Sequence, residues 1–444
     1  MENQNVPVAA PRRGIPVWVW VGTGLFACCC LCVVLGAGGY FAYTQGWLPE
    51  LPFGLGGQSR IAFLADPDSD GNGTLSIINA DGSNLKSGLA EDVSNYFWSP
   101  NGSQLAYIAK PVSRRGTLSV IGADGSGHKT LAENVSYAAW SASGQYILYF
   151  TDYDFEEYEG TLNVANRDGS GQRELGAGVD GEWLSPAAEE VAFSENILFG
   201  ELKVMNLDGS NERIVADSSY LPSWSPDGKL ILYGVIDPDT FDETLYVVSA
   251  DGSGTRKLVD DVLSSEWSPD GKQIAFCKWN VSAGQCQLMV MSADGSNQRE
   301  IASEGSPREW SSDGAHIVYS VFDNRTDESA LYVVGADGSN SVKLVDNYGW
   351  FVLSPDGKKI AVLEIEEDAP SGTLHIFNMD GSGDQKVAED VARYWSSGWS
   401  PDSKQFVFST VDGDGDPLAV YVVNADGAEA ELLVDNAAGP GWQP

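Results

Sequence analysis

The sequence predicts an all-β protein: a single closed β-propeller of about nine four-stranded blades, with eight as the alternative, preceded by one N-terminal transmembrane helix. Three observations support this prediction. A Trp-Ser-Pro-type motif recurs every 41–46 residues, an Asp-Gly pair recurs with a similar period, and residues 15–43 form one long uncharged apolar segment. A repeat of 40–45 residues with four short strands is typical of propeller blades.

The Trp-Ser-Pro-type motif reads "WSPNGSQLAY" from Trp98, "WSPDGKLILY" from Trp224 and "WSPDGKQIAF" from Trp267. Proline presets φ, aspartate bonds nearby amides and glycine accepts positive φ, so each copy predicts a tight corner followed by a short apolar strand. We expect the tryptophans to pack in the core rather than to bind a ligand. The Trp-type positions are assigned to residues 98, 140, 183, 224, 267, 310, 353 and 399.

The Asp-Gly pair follows an alternating apolar run in each repeat, as in "LYVVSADGSG" (245–254), and this pattern is typical of a β-hairpin. Nine copies indicate nine blades. Their aspartates are Asp81, Asp124, Asp168, Asp208, Asp251, Asp294, Asp337, Asp380 and Asp426.

The two ends of the repeat region predict how the ring closes. The first unit begins at "IAFL" (61–64) without a preceding Trp-Ser-Pro strand. The chain stops at "GPGWQP", where Trp442 and Pro444 match a truncated copy of the motif. We therefore expect the last segment to supply the inner strand of the first blade.

The N-terminal region predicts a membrane anchor. Residues 1–14 are assigned to a short cytoplasmic N-terminus, 15–43 to the transmembrane helix, 44–59 to a Pro/Gly-rich linker and 60–444 to the propeller. The uncharged segment exceeds the ~20 apolar residues that cross ~30 Å of hydrocarbon.

Flanking charges predict the orientation of this anchor. Arg12 and Arg13 precede the segment, and the next basic residue is Arg60. By the positive-inside rule the N-terminus is cytoplasmic and the propeller is extracytoplasmic, at the surface or in the periplasm of a bacterial cell. Two alternatives are a lipoprotein signal with Cys28 as the lipidated residue and a cleavable signal peptide. The apolar sequence continuing past Cys28 disfavours the first, and its length disfavours the second.

Charge and cysteine content limit the partners. The formal net charge of −37 argues against nucleic acid, because phosphate backbones require Lys and Arg. The expected partners are the membrane, through the N-terminal helix, and a protein or cationic ligand.

Four of the six cysteines lie in the apolar segment, while Cys277 and Cys286 flank a short loop. These two are predicted to form a disulfide, because neighbouring antiparallel strands bring them within reach in an oxidising compartment.

The variable loops predict where a partner binds. Loops between second and third strands share one face with the blade-to-blade connections, and they carry roughly half of the net charge. Rigid propellers usually bind through such loops. Local turn formation by Asp and Asn is the alternative explanation. The predicted acidic binding face comprises Asp152, Asp154, Glu156, Glu157, Glu159, Glu364, Glu366, Glu367 and Asp368.

The stretch "DPDSDGNGT" (66–74) suggests calcium as the one candidate cofactor. Asp66, Asp68, Asp70 and Asn72 alternate as oxygen donors do in calcium loops, although the bidentate Glu of such loops is missing. "DGDGD" (412–416) is a weaker candidate of the same kind.

No catalytic motif is apparent in the sequence. There is no Gly-x-Ser-x-Gly elbow, and the three histidines, His128, His316 and His375, have no spacing that predicts a triad or a histidine metal centre. The sequence therefore predicts a non-enzymatic binding scaffold. The alternative is a propeller-type lyase or hydrolase that uses carboxylates and a cation at the ring mouth.

The repeat at 267–301, "WSPDGKQIAF…LMVMSADGSNQREI", resembles that of TolB-type propellers and of the propeller domains of prolyl-oligopeptidase-type and tricorn-type peptidases. The resemblance extends over about residues 60–444 and implies a fold rather than an activity. Two departures stand out: the α/β domain that precedes the propeller in TolB and the hydrolase domain of the peptidases have no counterpart here.

Overall fold

The computed structural model describes residues 59–155, 159–196, 200–237, 242–323, 328–366, 369–394 and 397–444. The predicted cytoplasmic segment, transmembrane helix and nearly all of the linker lie outside these ranges. The described residues form strands and turns. Among them, no helix has the length and apolar character that a membrane crossing requires.

The strands are short, and each alternates or runs apolar as the repeat predicts. In chain order they are β1 (Arg60–Ala65), β2 (Gly73–Asn79), β3 (Lys86–Trp98), β4 (Gln104–Val112), β5 (Arg115–Gly122), β6 (Lys129–Trp140), β7 (Tyr146–Asp154), β8 (Glu159–Asn166), β9 (Arg173–Val179), β10 (Gly181–Leu184), β11 (Glu190–Ser194), β12 (Leu202–Asn206), β13 (Arg213–Ala216), β14 (Tyr220–Trp224), β15 (Leu230–Ile236), β16 (Glu243–Ser249), β17 (Arg256–Asp260), β18 (Val262–Trp267), β19 (Gln273–Asn280), β20 (Gln285–Ser292), β21 (Arg299–Ala302), β22 (Ser306–Trp310), β23 (His316–Asp323), β24 (Glu328–Gly335), β25 (Val342–Val345), β26 (Tyr348–Leu353), β27 (Lys359–Ile365), β28 (Ser371–Asn378), β29 (Gln385–Ala392), β30 (Gly398–Trp399), β31 (Gln405–Val411), β32 (Pro417–Asn424), β33 (Glu431–Asp435) and β34 (Ala437–Trp442).

Consecutive strands pair antiparallel in groups of four, as the blades of a propeller do. We call these groups blades. Blade 1 is β34, β1, β2 and the first half of β3. Blade 2 is the second half of β3, β4, β5 and the first half of β6, and blade 3 is the second half of β6 with β7, β8 and β9. Blades 4 to 9 are β10–β13, β14–β17, β18–β21, β22–β25, β26–β29 and β30–β33.

A sharp corner joins the outer strand of one blade to the inner strand of the next. At Asp92 the two halves of β3 meet, and the register with the neighbouring strands shifts there. The corner residue has positive φ, a conformation that Asn and Asp tolerate better than bulky residues. Much of the acidity of these connections therefore serves the backbone. The corner residues are Asp92, Asn134, Asp261, Asn347, Asp390 and Asn436, with φ between 47° and 62°.

The pairing register corrects one sequence assignment. Trp98 and Trp224 pair with the second residue of the following strand, Leu105 and Ile231. In blade 4 the residue that pairs with the equivalent Val191 is Leu184, and Trp183 lies one place earlier. The assignment of Trp183 to the Trp-type position was therefore wrong, because the tryptophan was given more weight than the following Ser-Pro.

The Trp-type side chains connect neighbouring blades. Each indole N–H donates to a backbone carbonyl one place before the Trp-type position of the preceding blade, at 2.9–3.4 Å. Leucine takes the Trp-type position at 184 and 353 and has no such donor. The donor–acceptor pairs are Trp98 with Gly441, Trp140 with Phe97, Trp224 with Trp183, Trp267 with Ser223, Trp310 with Glu266, Trp399 with Val352 and Trp442 with Gly398.

The apolar core lies between the blades. Each cluster of buried side chains draws on two successive blades, as where Leu232 and Val247 of blade 5 meet Phe276 of blade 6. One cluster joins blade 9 to blade 1 through Val420 and Phe63. The C-terminal strand β34 pairs with β1 and also packs on β31 and β32.

The two repeated turns explain why their sequences recur. Ser268 Oγ donates to Asp270 Oδ1 at 2.8 Å and accepts from the amide of Gln273, while Gly271 takes a φ of 66°. In the hairpin, Asp251 Oδ1 accepts from the amide of Ser253 at 2.9 Å. Each polar residue of these motifs thus bonds to its own turn, and we call the side of the protein that carries both kinds of turn the turn face.

The described chain begins at the turn face. The carbonyl of Ser59 accepts from the amide of Ala80, beside the first Asp-Gly hairpin. Arg60 Nε donates to Gln443 Oε1 at 2.7 Å, and Gln443 Nε2 donates to the carbonyl of Gly102. Loops between second and third strands and connections between blades lie at the other ends of the strands, which we call the loop face.

Cys277 and Cys286 lie on the paired strands β19 and β20 near the loop face, with their Cα atoms 5.3 Å apart and their sulfurs bonded. We expect the protein to show this bridge as a loss of two protons in non-reduced intact-mass analysis. Replacing both cysteines with serine should lower the free energy of unfolding by about 2–3 kcal/mol, because the closed loop is short. Two free thiols in the unreduced protein would contradict the pairing.

Candidate functional site

The first acidic cluster lies at the loop-face end of blade 3. Asp152, Asp154 and Glu159 are exposed, and Asp154 stands directly opposite Glu159 on the paired strands β7 and β8. Like charges at opposed positions destabilise a sheet. Glu156 and Glu157 of the same predicted cluster lie outside the described residues.

The second acidic cluster lies on blade 8, away from the first in the strand order. Glu366 is exposed, whereas Glu364 Oε2 lies 3.5 Å from His375 Nε2. The other ring nitrogen of His375 lies 2.8 Å from Asp384 Oδ1. The structure therefore places His375 between two carboxylates, a contact that the sequence analysis missed. Glu367 and Asp368 lie outside the described residues.

The residues proposed for calcium do not form a ligand cluster. Asp68 Oδ1 accepts from the amides of Asp70 and Asn72, both at 2.9 Å, and the bond from Asn72 is the main cause that lowers the pKa of Asp68. Asp66 Oδ1 instead accepts from Asn436 Nδ2 at 2.7 Å. Among the described residues no three histidine, cysteine or acidic side chains are placed together to hold a metal.

The second calcium candidate makes a similar turn. Asp412 Oδ1 accepts from the amides of Asp414 and Asp416 at 2.9 and 3.0 Å. Alternating acids in both loops are thus explained by local turn formation, which was the alternative explanation from the sequence.

Two acids on inner strands were not singled out by the sequence analysis. Glu182 on β10 and Glu266 on β18 are partly buried, and burial raises the pKa of each to about 8. Arg308 on the adjacent blade opposes this shift at Glu266. The pKa of Tyr137 is raised above its usual range, mainly by burial and also by the nearby Glu182 carboxylate. The sequence signal for both acids was a glutamate one or two residues before the Trp-type position, on the predicted inner strand.

These pKa values predict that stability falls with rising pH. Glu182 has a folded-state pKa near 8 against an ordinary value of 4.5, so the folded protein holds a proton that the unfolded chain releases. Stability is lost as pH rises from about 4.5 to 8. Glu182→Gln should match the parent at pH 5 and exceed it at pH 8 by on the order of 2 kcal/mol, since one pKa unit corresponds to about 1.4 kcal/mol and partial solvent contact reduces the effect.

Thermal unfolding at pH 5, 6.5 and 8 measures this difference. The exposed Glu174→Gln is the matched control, because it removes the same charge from the surface of blade 3. Equal pH slopes for Glu182→Gln and the parent would contradict a carboxyl that is protonated in the folded state.

Repeated four-stranded antiparallel blades place the described chain in the β-propeller class. Among solved structures the chain is similar to a eukaryotic initiation factor, with 14% identity, a TM-score of 0.61, and coverage of 87% of this chain and 99% of that one. This likeness shows a common fold.

Two further solved structures are similar at a lower level. One is an oligogalacturonate lyase in complex with manganese, with 14% identity, a TM-score of 0.46, and coverage of 83% of this chain and 98% of that one. The other is TolB from Acinetobacter baumannii, with 17% identity, a TM-score of 0.34, and coverage of 64% and 79%. TM-scores this low do not bear on function. No protein-family model and no curated protein sequence matches the chain.

Proposed function

We propose that this protein is a membrane-anchored extracytoplasmic propeller that acts as a non-enzymatic scaffold and binds a protein or cationic ligand on its loop face. The observation that carries the proposal is the placement of exposed, like-charged acids on the face opposite to the one where the described chain begins. Acids are retained there although opposed like charges cost stability. Arg114 and Arg115 of blade 2 reach the Phe155 ring and the carbonyl of Tyr153 and offset part of that cost, and a cationic partner offsets the rest.

The proposed scaffold is a single closed ring of nine TolB-like blades. Pairing of β34 with β1, the apolar cluster between blades 9 and 1, and the Trp442 bond to Gly398 support closure. Closure leaves β1 without a free edge, and it holds the loops in fixed relative positions, as a binding face requires.

Chain direction supports the orientation of this scaffold on a membrane. Residue 60 lies at the turn face, so a linker over 44–59 joins the ring on that side. Sixteen extended residues reach at most about 55 Å. The turn face then lies on the side from which the chain leads to the anchor, and the loop face points away from the bilayer, where a partner can approach it.

One observation favours a second candidate function, catalysis by carboxylates near the axis. Glu182 has a pKa of about 8, and a carboxyl that stays protonated near neutral pH can act as a general acid. A lyase or hydrolase would need such a group beside a bound cation. Turnover of any member of a panel of oligosaccharides that is lost in Glu182→Gln would support this candidate over the scaffold.

The scaffold proposal predicts that binding depends on the loop-face acids. In the full-length protein, D152N/D154N/E159Q should weaken binding of an oligolysine peptide by about tenfold and flatten its salt dependence, because each removed charge loses its screened attraction. Titration at two ionic strengths measures both effects. The matched control, Glu212→Gln with Glu429→Gln and Glu431→Gln, removes three exposed charges after turn-face hairpins. If the control weakens binding and the loop-face variant does not, the turn face is the binding surface.

A further inference from the structure

Large apolar side chains are unevenly exposed on the described surface. Most of those that reach solvent lie at the loop face, in strand ends, loops or blade connections. Only Leu85, Ile214 and Leu432 lie elsewhere, on or beside outer strands. The loop-face set, with exposed fractions of 43–79%, is Val112, Leu221, Leu263, Val281, Phe322, Tyr394 and Leu418. Neighbouring exposed apolar groups mark interaction surfaces, whereas apolar residues that are exposed singly are ordinary.

Two of these side chains lie on adjacent inner strands. Leu221 is on β14 and Leu263 is on β18, near the loop-face end of each strand, and they are 51% and 52% exposed. The Trp267 indole N–H donates to the carbonyl of Ser223, which joins the two strands at their other ends. In the closed ring, inner strands surround the axis, so both leucines lie at the loop-face mouth of the channel.

Leu221 is held in a conformation that leucine rarely adopts. Its φ is 41°, and the register between β14 and β15 shifts between Tyr220 and Ser223. Pro222 follows, and a residue before proline is normally extended. A bulky side chain in such a conformation costs on the order of 1–3 kcal/mol, and strain of this kind gathers at functional positions. Leu221 is 51% exposed and belongs to none of the described core clusters, so its packing offsets little of this cost.

Acids lie in the connections that lead into these two inner strands and into the next one, β22. Asp217 and Glu304 are exposed in the connections that lead into β14 and β22, and Asp261 occupies the corner before β18. The connections 217–219, 261 and 303–305 contain no Lys or Arg, although Lys278 on β19 pairs with Val262 beside Leu263 and Arg308 lies on β22. We call Leu221, Leu263, Asp217, Asp261 and Glu304 the leucine mouth.

We propose that the leucine mouth binds a segment of a partner protein in which apolar side chains are flanked by Lys or Arg. This inference rests on the proposed scaffold function and names the chemistry of its partner. The leucines supply the apolar contact and the acids select cations around it. A purely apolar occupant would bring no counter-charge to the three acids, and a polyanion would be repelled.

The test uses full-length protein in neutral-lipid nanodiscs and three synthetic peptides of about 12 residues, a length that spans such a mouth. One alternates Lys with Leu, one alternates Lys with Ser, and one alternates Glu with Leu; empty nanodiscs correct for lipid binding. We expect the Lys-Leu peptide to bind at least about tenfold more tightly than the other two. Leu221→Asn and Leu263→Asn should each cost about tenfold for that peptide, as truncation of an apolar anchor does.

The matched control is Ile214→Asn, because Ile214 is also 51% exposed but lies on the outer strand β13. It should leave peptide binding unchanged. Leu221→Asn should also keep or raise the melting temperature, by about 1–2 °C, because asparagine tolerates positive φ. A gain in stability with a loss of binding separates function from damage to the fold.

Each other outcome counts against the inference. Equal binding of the Lys-Leu and Lys-Ser peptides would be consistent with the acidic scaffold, but it would contradict a role for the two leucines in binding. Failure of both lysine peptides would overturn the scaffold proposal itself. If Leu221→Asn and Leu263→Asn abolish self-association in sedimentation without changing peptide binding, the occupant is a second copy of this chain.

Discussion

Removal of residues 437–444 should leave a protein that is insoluble or that melts at least about 10 °C below the intact chain. The deletion removes β34, whose Trp442 is 5% exposed and donates to the carbonyl of Gly398 at 2.9 Å. It also removes two acceptors, since the carbonyls of Gly439 and Gly441 accept from Tyr96 and Trp98. Loss of a buried tryptophan alone costs about 3–5 kcal/mol, and the edge of β1 then becomes free to pair with other chains.

Solubility and thermal unfolding measure this effect. Trp442→Leu is the graded control, because leucine already occupies the Trp-type position at 184 and 353. Its melting temperature should lie between those of the parent and the deletion variant, because it keeps β34 and loses only the indole contacts. A truncated protein that melts like the parent would mean that blade 1 does not depend on the C-terminal strand.

Trp310→Ala should lower the free energy of unfolding by about 3–5 kcal/mol. Trp310 is 2% exposed in the cluster between blades 6 and 7, and its indole N–H donates to the carbonyl of Glu266 at 3.3 Å. Alanine leaves a cavity and an unpaired carbonyl near the axis. Denaturant unfolding at constant pH gives the difference directly.

Two further variants separate volume from hydrogen bonding. Trp310→Leu should cost about half as much as the alanine variant, because two blades accept leucine at this position. Trp279→Ala, at a half-buried site on β19 near the loop face, should cost less than either. If it costs as much as Trp310→Ala, the Trp-type position has no special place in the core.

Much of the fold was predictable because the repeat encodes its own turns. Asp270 and Gly271 perform in the structure the roles that the motif predicts for them, and so do Asp227 and Gly228 in blade 5. The error at Trp183 shows the limit of this reasoning. The size of Trp183 suggests that it occupies the Trp-type position. However, Leu184 is the residue that pairs with Val191, so Leu184 occupies that position, and only the strand register shows this.

The candidate site was less predictable, because an aspartate can have three different structural roles that the sequence does not distinguish. Asp68 bonds to the amides of its own turn, Asp92 accommodates a corner with positive φ, and Asp154 faces solvent opposite another acid. Local turns and calcium loops both space oxygen donors two residues apart, so "DPDSDGN" fits either until side chains are placed. The unusual conformation of Leu221 was not predictable from the sequence, because it depends on a register shift between two strands.

Pairing of the first strand with the last has a consequence for biosynthesis. Arg60 and Gln443 are separated by 383 residues, and among the described strands β34 is the one that pairs with the edge of β1 opposite to β2. At roughly 5–20 residues per second, β1 waits on the order of 20–80 s with one edge unpaired while the later blades are made. The first blade is therefore exposed to misassociation throughout synthesis of the chain, and it needs shielding until the last residues arrive.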